Sequence, residues 1–479
     1  MKRNGINRRR FIGTVAAATA GVAASNFTPV FGRSRDTSDK QAIIGGNRTN
    51  AAQSGDTLKI SVFDIDATPP VGSYLTYNQM IGTWDMGLRA KGLVLTGAGA
   101  PIVLCAIDWI GIANESQDVF KQTLADAVGT DPERVAVHAL HQHDAPFCDF
   151  SAEKMLNEMG IAPTSFESSF AREFLMRLGK AAKDSLDNLC AVTDISIGSA
   201  PVFQVASNRR IVKDGKVGDM RGSSCTDPAL RAEPEGLIDP DVTLIAFWEK
   251  EKPVAVMTFY ATHPQSYYGT GIPNPDFPGL ARFYRQLAVP DALHIHFTGA
   301  GANVAAGKYN DRSFENRMIL AGRLADGMER AWNNSIKVPV TASDVFWKTE
   351  PVALPVADEV VRQFESQIAT ADWVFRSNYM TTIVWAKRAR TGKTIDIACL
   401  AVGKARVLFA PGELFVEYQL AAKDFRPDLA VSVAAYGEYG PGYIGTKEAY
   451  SQGGYEINVS PVNGDAEDIM MNAFRKLLM

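Results

Sequence analysis

Residues 102–146 read IVLCAIDWIGIANESQDVFKQTLADAVGTDPERVAVHALHQHDAP, and this stretch decides the fold class. Its apolar runs at 102–107 and 135–139 have the length of strands, and the segment at 117–127 between them predicts a helix. The same alternation of short apolar runs with longer helical segments continues along the chain. Strands that alternate with helices predict an α/β fold built from layered mixed sheets with helices.

The remaining elements are predicted from the same two patterns. The ordered part is expected to begin near Thr57, and strands are expected at 58–62, 92–95, 242–248, 254–260, 395–400, 405–409 and 430–435. Helices are expected at 166–186, 279–287 and 313–332. No internal repeat interrupts this order, so a repeat architecture is not expected.

The composition is that of an enzyme-sized globular protein. The 479 residues are 46% hydrophobic and 21% charged, which excludes collagen-like, coiled-coil and wholly disordered chains. The net charge is −4 and no Lys/Arg run occurs beyond the N-terminus, so no nucleic-acid partner is expected. Five cysteines without CxxC spacing exclude a disulfide scaffold and a structural zinc knuckle.

The N-terminus predicts an export signal. Three arginines at 8–10 precede an apolar run at 11–24 that ends in small residues. The run is shorter than the roughly 20 residues that span a bilayer, so no transmembrane segment is expected. The arginines before the run predict twin-arginine export of a signal peptide at 1–25, to the periplasm or outside the cell, followed by a flexible linker at 26–56. The alternative is a basic amphipathic helix that stays attached.

Two histidines stand close together directly after a predicted strand. His141 and His143 are two residues apart, so their imidazoles lie on one side of an extended segment. Two neutral imidazoles on one side can bind a metal together, or one can bind while the other transfers a proton. The alternative is a pair of ordinary polar residues at a strand end, and the segment alone leaves both interpretations open.

Other histidines follow or occupy later strands. His263 comes just after the strand at 254–260, a place where a lone histidine is more often structural. His294 and His296 lie in an apolar run, and His296 is interpreted as a core or supporting residue. The glycine-rich turn at 298–303 is expected to form a wall of a site, where backbone N–H groups can approach an anion.

Several segments in the right order resemble the neutral (non-lysosomal) ceramidase family. Positions 140–146 resemble the family's Thr-His-Thr-His-Ser-Gly-Pro motif, and 411–413 match its Pro-Gly-Glu motif. The resemblance runs from about Leu58 to Glu456. The other matching segments are 66–70, 88–91, 107–108, 208–209, 262–264, 443–450 and 455–456.

The resemblance implies a neutral-ceramidase-like catalytic domain over 57–479, without the family's C-terminal β-sandwich and with a candidate inner boundary near residue 338. It implies Zn2+ as the cofactor, with the metal ligands His141, His263, Glu413 and Tyr443. Histidine nitrogen and carboxylate oxygen suit zinc. It also implies a set of catalytic residues beside the metal, which orient the substrate and stabilise a developing oxyanion: His143, Arg209 and Tyr455.

Two positions depart from the family pattern. The serine with a direct role in amide cleavage in the family aligns with Gly299, so a serine-dependent mechanism is not expected unless Thr298 substitutes for it. Asp144 replaces the serine of the first histidine motif and is expected to add a carboxylate near the metal. Zinc-activated water is therefore the expected nucleophile.

The predicted function is an exported zinc-dependent hydrolase that cleaves an amide or ester bond, with a small-molecule or lipid substrate and ceramide-like N-acyl lipids as the default. The first alternative is a metal-dependent carbohydrate-active hydrolase or lyase, because some side chains near the histidines suit hydroxylated ligands: Asp144, Lys308, Tyr309 and Asp311. The second alternative is a non-catalytic binding protein that has lost its nucleophile.

Overall fold

The computed structural model describes residues 57–479. The predicted signal peptide (1–25) and linker (26–56) lie outside the described residues. The strands are β1 (Lys59–Asp66), β2 (Arg89–Thr96), β3 (Ile102–Ile107), β4 (Gly111–Ile112), β5 (Val135–Ala139), β6 (Phe147–Cys148), β7 (Cys190–Ala191), β8 (Asp194–Pro201), β9 (Ser207–Asn208), β10 (Arg210–Lys213), β11 (Lys216–Met220), β12 (Asp241–Glu249), β13 (Lys252–Tyr260), β14 (Leu293–Thr298), β15 (Val304–Ala305), β16 (Ile336–Pro339), β17 (Val345–Val352), β18 (Ile395–Val402), β19 (Ala405–Phe409), β20 (Glu413–Leu414), β21 (Ala430–Ala434) and β22 (Tyr443–Ile444).

The α-helices are α1 (Glu115–Val128), α2 (Phe150–Glu158), α3 (Ser169–Ser185), α4 (Pro228–Ala232), α5 (Asp276–Ala288), α6 (Phe314–Asn333), α7 (Asp358–Gln367), α8 (Trp373–Arg390), α9 (Val416–Phe425), α10 (Lys447–Gln452), α11 (Tyr455–Asn458) and α12 (Ala466–Leu478). Short 3-10 helices occupy Pro132–Arg134, Thr164–Phe166, Leu186–Asn188 and Ala342–Asp344. None of the helices within 57–479 combines the length and the apolar content that crossing a membrane requires.

Three larger sheets organise the fold, and each contains a single parallel pair of strands. Their strand orders are β5-β3-β2-β1-β7, β14-β13-β12-β8-β16 and β17-β18-β19-β21. The parallel pairs are β3/β5, β13/β14 and β19/β21, and the other neighbours in these sheets run antiparallel. The predicted α/β class with layered mixed sheets is confirmed.

The three sheets share one hydrophobic core on their inner faces. Leu104, Phe259 and Phe409, one from each sheet, belong to the same buried cluster. The outer faces are covered by helices: α1 and α3 pack on the first sheet, α5 and α6 on the second, and α9 and α12 on the third. Each sheet thus buries both faces, which explains why its central strands are nearly continuous apolar runs.

The observed bounds agree with the predicted strands where the apolar run is bounded sharply. The strands at 102–107, 135–139 and 405–409 are observed with the predicted limits. The helix predicted at 166–186 begins later, as α3, because Glu167 is extended with ψ 110° and the preceding turn, Thr164–Phe166, is a 3-10 helix. Phe166, the apolar residue at which the predicted helix starts, therefore belongs to the 3-10 turn before α3.

The carboxyl ends of the parallel pairs meet at one place. The Ala139 N–H, at the end of β5, donates to the Tyr436 carbonyl, after β21, at 2.9 Å. The Ala435 N–H donates to the Thr298 carbonyl at the end of β14 at 3.0 Å, and the His141 N–H donates to the Trp109 carbonyl after β3 at 2.9 Å. Backbone bonds between loops of different sheets therefore hold the loops that follow these strands in a fixed relation.

A buried ion pair fastens a helix to this meeting point. The Arg282 guanidinium, on α5, donates to both carboxylate oxygens of Asp108 at 2.8 and 2.7 Å, and both side chains are buried. Asp108 also accepts the Arg89 N–H at 2.9 Å, and its own carbonyl accepts a hydrogen bond from the side chain of Gln142, between the two histidines. The pair therefore supports the strand end next to His141.

We predict that Arg282→Met lowers the free energy of unfolding by about 3–5 kcal/mol, because it leaves the Asp108 charge buried and unpaired. Chemical denaturation followed by circular dichroism measures the change. Lys180→Met is the control, since Lys180 pairs with Asp184 on the exposed surface of α3 and such pairs contribute about 0.3–0.5 kcal/mol. Equal effects of the two substitutions would contradict the prediction.

Candidate metal centre

His141 is held in an unusual backbone conformation at the centre of the site. Its φ is +71°, in the left-handed region, and its side chain is almost fully buried. The Nδ1 atom lies 2.7 Å from the Ile110 carbonyl oxygen. A carbonyl oxygen only accepts, so Nδ1 carries the proton and Nε2 presents its lone pair.

His263 has the same arrangement on the loop after β13. Its N–H donates to the Val304 carbonyl at 2.9 Å, and its Nδ1 lies 3.0 Å from the Gly301 carbonyl oxygen. The Nε2 lone pair is again free. Burial, with the nearby His141 as the next contribution, lowers the pKa of His263 well below its usual value, so the imidazole is neutral at pH 7. Histidines that bind metals have their second nitrogen oriented in this way.

Glu413 brings a carboxylate to these two lone pairs. Its Oε2 lies 3.4 Å from Nε2 of His141 and 3.5 Å from Nε2 of His263, while the two Nε2 atoms are 3.1 Å apart. Its Oε1 accepts a hydrogen bond from the Tyr439 hydroxyl at 2.7 Å. Burial acts to raise the pKa of Glu413, but His141, His263 and the Tyr439 hydroxyl outweigh it and hold the pKa at about 2.

These three atoms fit a cation. Two imidazole lone pairs and a carboxylate oxygen are all acceptors, and Oε2 of Glu413 has no hydrogen-bond donor within 57–479. With bonds of about 2.0–2.1 Å, the ligands of a tetrahedral zinc ion are about 3.3–3.4 Å apart. The observed separations of 3.1, 3.4 and 3.5 Å match that spacing. The donor set, two nitrogens and one oxygen, is suited to zinc.

His143 completes a cluster of three buried histidines. One ligand atom from each of His141, His143 and His263 lies within 4.8 Å of the others. Burial, followed by the nearby His141 and the charge of Arg209, lowers the pKa of His143 well below its usual value. The structure therefore contains a candidate metal site of three histidines, and the tighter arrangement is the one that Glu413 forms with His141 and His263.

Arg209 lies beside this cluster with the two predicted tyrosines. Its Nη1 donates to the Ala302 carbonyl at 3.2 Å and lies 3.5 Å from the Tyr443 hydroxyl. Its Nε is 3.4 Å from the buried carboxylate of Glu456. Burial alone would lower the pKa of Arg209, but Tyr443 and Glu456 raise it, so the guanidinium stays charged. Its guanidinium carbon is 5.8 Å from the centre of the Tyr455 ring.

Tyr443 and Tyr455 differ in burial. Tyr443 is half-buried and faces Glu413 across the parallel pair β20/β22. Burial and the Glu413 charge raise the pKa of Tyr443 well above its usual value, so the phenol is neutral. Tyr455 is 50% exposed and stands edge-on to Tyr443 with ring centres 5.9 Å apart. The chain thus brings all seven predicted site residues to one region, and their roles stay predictions.

Four contact residues were missed by the sequence analysis. Tyr436 stacks on His141 with ring centres 4.3 Å apart, and Tyr439 binds Glu413. Tyr77 and Gln265 contact His143. Proximity to the matched motifs was the only signal for Gln265, Tyr436 and Tyr439, and Tyr77 had none, because it lies in a loop without periodicity.

The glycine-rich turn is closed to ligands. The N–H groups of Gly299, Ala300 and Ala302 donate to Tyr260, Gln419 and Leu414. A Cβ atom on Gly299 would lie 2.5 Å from Oε1 of Gln419, so this amide occupies the space that a serine side chain would need. The Thr298 hydroxyl donates to the Leu140 carbonyl at 2.8 Å. The turn is a wall of the site, as predicted, but it offers neither an anion cradle nor a free hydroxyl.

The side chains that suggested a sugar ligand are engaged within the protein. Asp144 accepts hydrogen bonds from Gly269 N and from Thr270 N and Oγ1 at 2.9, 3.1 and 2.8 Å, so it orders that loop and stands outside the metal cluster. Lys308 donates to the Arg231 carbonyl at 2.7 Å. The hydroxyl of Tyr309 donates to Glu235, and Asp311 accepts the Ser313 N–H.

We predict that the purified protein binds a single zinc ion. We expect His263→Ala and Glu413→Gln to weaken this binding by at least about 100-fold, which is more than the loss of a residue that only hydrogen-bonds a metal ligand would cause. Mass spectrometry of the metal content after dialysis measures the effect. His296→Asn is the matched control, because it removes a buried histidine whose Nδ1 contacts the Thr258 hydroxyl instead. Wild-type protein without stoichiometric metal, or variants that keep it, would contradict the site.

His296 also predicts a pH dependence of stability. Burial, with a smaller effect of Arg282, lowers its pKa to about 3, whereas an unfolded histidine titrates near 6.5. Between these values the unfolded chain binds a proton that the folded chain does not, so stability falls as the pH falls. We expect His296→Asn to reduce the slope of unfolding free energy against pH by about 1.4 kcal/mol per unit between pH 6 and 4, measured by urea denaturation. An unchanged slope would show that His296 is protonated in the folded state.

Two solved structures are similar to this chain in fold. The neutral ceramidase from Pseudomonas aeruginosa superposes with a TM-score of 0.64 and 15% sequence identity, over 88% of this chain and 74% of that one. A structure described as a ceramidase complexed with C2 superposes with a TM-score of 0.65 and 14% identity, over 88% and 75% of the two chains. No protein-family model and no curated protein matches the sequence. The chain therefore has a neutral-ceramidase-like fold.

Proposed function

We propose that this protein is a zinc-dependent hydrolase that cleaves an amide or ester bond, with ceramide-like N-acyl lipids as the default substrate class. One observation carries the proposal: two imidazole lone pairs and the Glu413 carboxylate converge within 3.5 Å in a buried place. The similarity of the fold to proteins described as ceramidases supports the choice of bond and substrate.

Zinc would be held by His141, His263 and Glu413, with Tyr443 as the fourth ligand. When bound, zinc supplies Lewis acidity, which lowers the pKa of water towards 7 and polarises a carbonyl group. The protein contributes ligand orientation: the Ile110 and Gly301 carbonyls fix the two imidazoles. The Tyr439 hydroxyl holds one carboxylate oxygen of Glu413 and leaves the other free.

His143, Arg209 and Tyr455 are proposed to act on the substrate. Arg209 supplies a fixed positive charge, because Glu456 and the Ala302 carbonyl hold its guanidinium. A charge preorganised in a buried site stabilises a developing oxyanion without reorganisation during the reaction. Tyr455 is the most exposed of the three and is proposed to contact the substrate at the entrance.

The chain's own groups argue for attack by water. Gly299 has no hydroxyl, and the Thr298 hydroxyl is buried and bonded to a carbonyl. Neither position 298 nor position 299 therefore offers a hydroxyl oxygen that is free to attack the substrate. Cleavage by water releases a carboxylic acid and an amine from an amide. From an ester it releases a carboxylic acid and an alcohol.

Two features outside the site belong to the same proposal. We propose that residues 1–25 direct twin-arginine export, with 26–56 as a linker, so that the enzyme acts in the periplasm or outside the cell. Residues 57–479 would form the catalytic domain. The core that joins the three sheets contains residues from both sides of position 338, such as Ile245 and Leu400.

The test measures turnover by the zinc-loaded protein on a short-chain N-acyl sphingoid lipid, an aryl ester and a set of oligosaccharides. We expect release of fatty acid that a chelator abolishes and zinc restores. Arg209→Met should lower kcat by about 10²–10³, the effect of removing one group that stabilises an oxyanion. Thr298→Val is the control and should retain activity.

The other outcomes separate the alternatives. Turnover of oligosaccharides alone would favour the carbohydrate-active enzyme and overturn the proposed substrate class. Zinc binding without turnover of any of these substrates would favour the non-catalytic binding protein. Activity that is lost in Thr298→Val would overturn attack by water.

A further inference from the structure

His143 differs from its two neighbours in what surrounds its Nδ1 atom. Whereas a carbonyl oxygen faces Nδ1 in His141 and His263, the amide Nε2 of Gln265 lies 3.2 Å from Nδ1 of His143. An amide nitrogen only donates, so Nδ1 of His143 accepts and the proton of the neutral ring is on Nε2. The hydroxyl of Tyr77, which lies 3.0 Å from the same Nδ1, can donate in the same direction.

The Nε2–H of His143 is left without a partner in the described chain. The atom is fully buried and no acceptor within 57–479 reaches it. The ring centre lies 5.2 Å from that of His141 and 5.6 Å from that of His263. A buried donor without a partner is unfavourable, so a hydrogen-bond acceptor from outside the chain would relieve this cost.

We propose that Gln265 and Tyr77 are positioning residues that set the tautomer of His143, so that it faces the metal centre as a hydrogen-bond donor and not as a third imidazole ligand. The donor is aimed at the carbonyl oxygen of the substrate, where negative charge develops. This inference rests on the proposed function. It adds the two groups that make His143 a hydrogen-bond donor, whereas His141 and His263 are ligands.

The loop that carries Tyr77 is built to hold it in place. The Ala67 N–H donates to the Leu88 carbonyl at 2.9 Å and closes the loop between β1 and β2. Thr76 donates from both N and Oγ1 to the Ala145 carbonyl, at 3.0 and 2.9 Å. The Tyr77 ring is stacked on His143 with an angle of 7° between the planes. The hydrogen bonds of Thr76 and the stacking on His143 therefore hold the Tyr77 hydroxyl near Nδ1.

Gln265 is fixed by the histidine motif itself. Its N–H donates to the His263 carbonyl at 2.9 Å, and its side chain is buried. The segment that supplies one metal ligand, His263, thus also supplies the donor that orients His143. A glutamine two residues after the ligand places both functions on one short stretch of backbone.

The decisive variant is Gln265→Glu, which has the same shape but only acceptor atoms. Its carboxylate would draw the proton to Nδ1 of His143 and leave a third lone pair, at Nε2, facing the metal. Long-range 15N–1H correlation spectra of the zinc-loaded protein with 15N-labelled histidine report the tautomer of each of the six histidines. The His143 signal is identified by its loss in His143→Asn.

We expect an Nε2–H tautomer for His143 in the wild type and an Nδ1–H tautomer in Gln265→Glu. The variant should lower kcat by about 10²–10³, as for loss of one oxyanion donor, with KM changed much less. Gln363→Glu is the matched control, since it makes the same substitution at an exposed position on α7 and should change neither tautomer nor kcat. Tyr77→Phe keeps the ring and should retain the Nε2–H tautomer through Gln265.

The outcomes distinguish this inference from the proposed function. A wild-type spectrum in which His143 carries its proton on Nδ1 overturns the inference even if the variant fails to fold, while zinc binding and turnover stand. An unchanged tautomer and kcat in folded Gln265→Glu also overturns it. Wild-type protein that binds no zinc overturns the proposed function itself.

Discussion

The structure depends on one electrostatic constraint: three hydrogen-bond acceptors, all on buried side chains, face one another. The Nε2 atoms of His141 and His263 and one carboxylate oxygen of Glu413 are 3.1–3.5 Å apart. Each is locked in that role by a second contact, from the Ile110 carbonyl, the Gly301 carbonyl and the Tyr439 hydroxyl. Acceptors so placed repel one another unless a cation lies between them, which is why the surrounding contacts must be strong.

The architecture meets this constraint by bringing three sheets to one point. Each of the three larger sheets contains a single parallel pair, and the loops after these pairs carry the candidate metal ligands. A parallel pair ends both of its strands on the same side, so neighbouring loops emerge together. His141 follows the first pair, His263 the second and Glu413 the third. The left-handed backbone of His141 and the Asp108–Arg282 ion pair belong to the same meeting point.

The departures from the ceramidase pattern lie in the wall of the site and not in its centre. Gln419 fills the space beside Gly299, and its amide oxygen accepts the Ala300 N–H, so position 299 has no room for a serine side chain. Asp144 orders the 269–270 loop, near which Tyr268 stands against His143. The region around the cluster is rich in tyrosine hydroxyls, at Tyr77, Tyr268 and Tyr455. Such a surrounding offers hydrogen bonds as well as apolar contact.

The fold class, the limits of the sharply bounded strands and the pair His141/His143 could be predicted from the residues alone, because apolar periodicity and the i, i+2 spacing are local properties. Family motifs added Glu413 and Tyr443, which no local pattern marks. Only the tertiary structure decided that Gln265 and Tyr77 converge on His143, that Asp144 turns away to the 269–270 loop, and that Gln419 fills the place of a serine. The physical reason is distance along the chain: His141 and His263 are 122 residues apart and Ala300 and Gln419 are 119 apart. Contacts between residues so far apart in sequence depend on how the three sheets pack around one core, which the periodicity of the sequence does not specify.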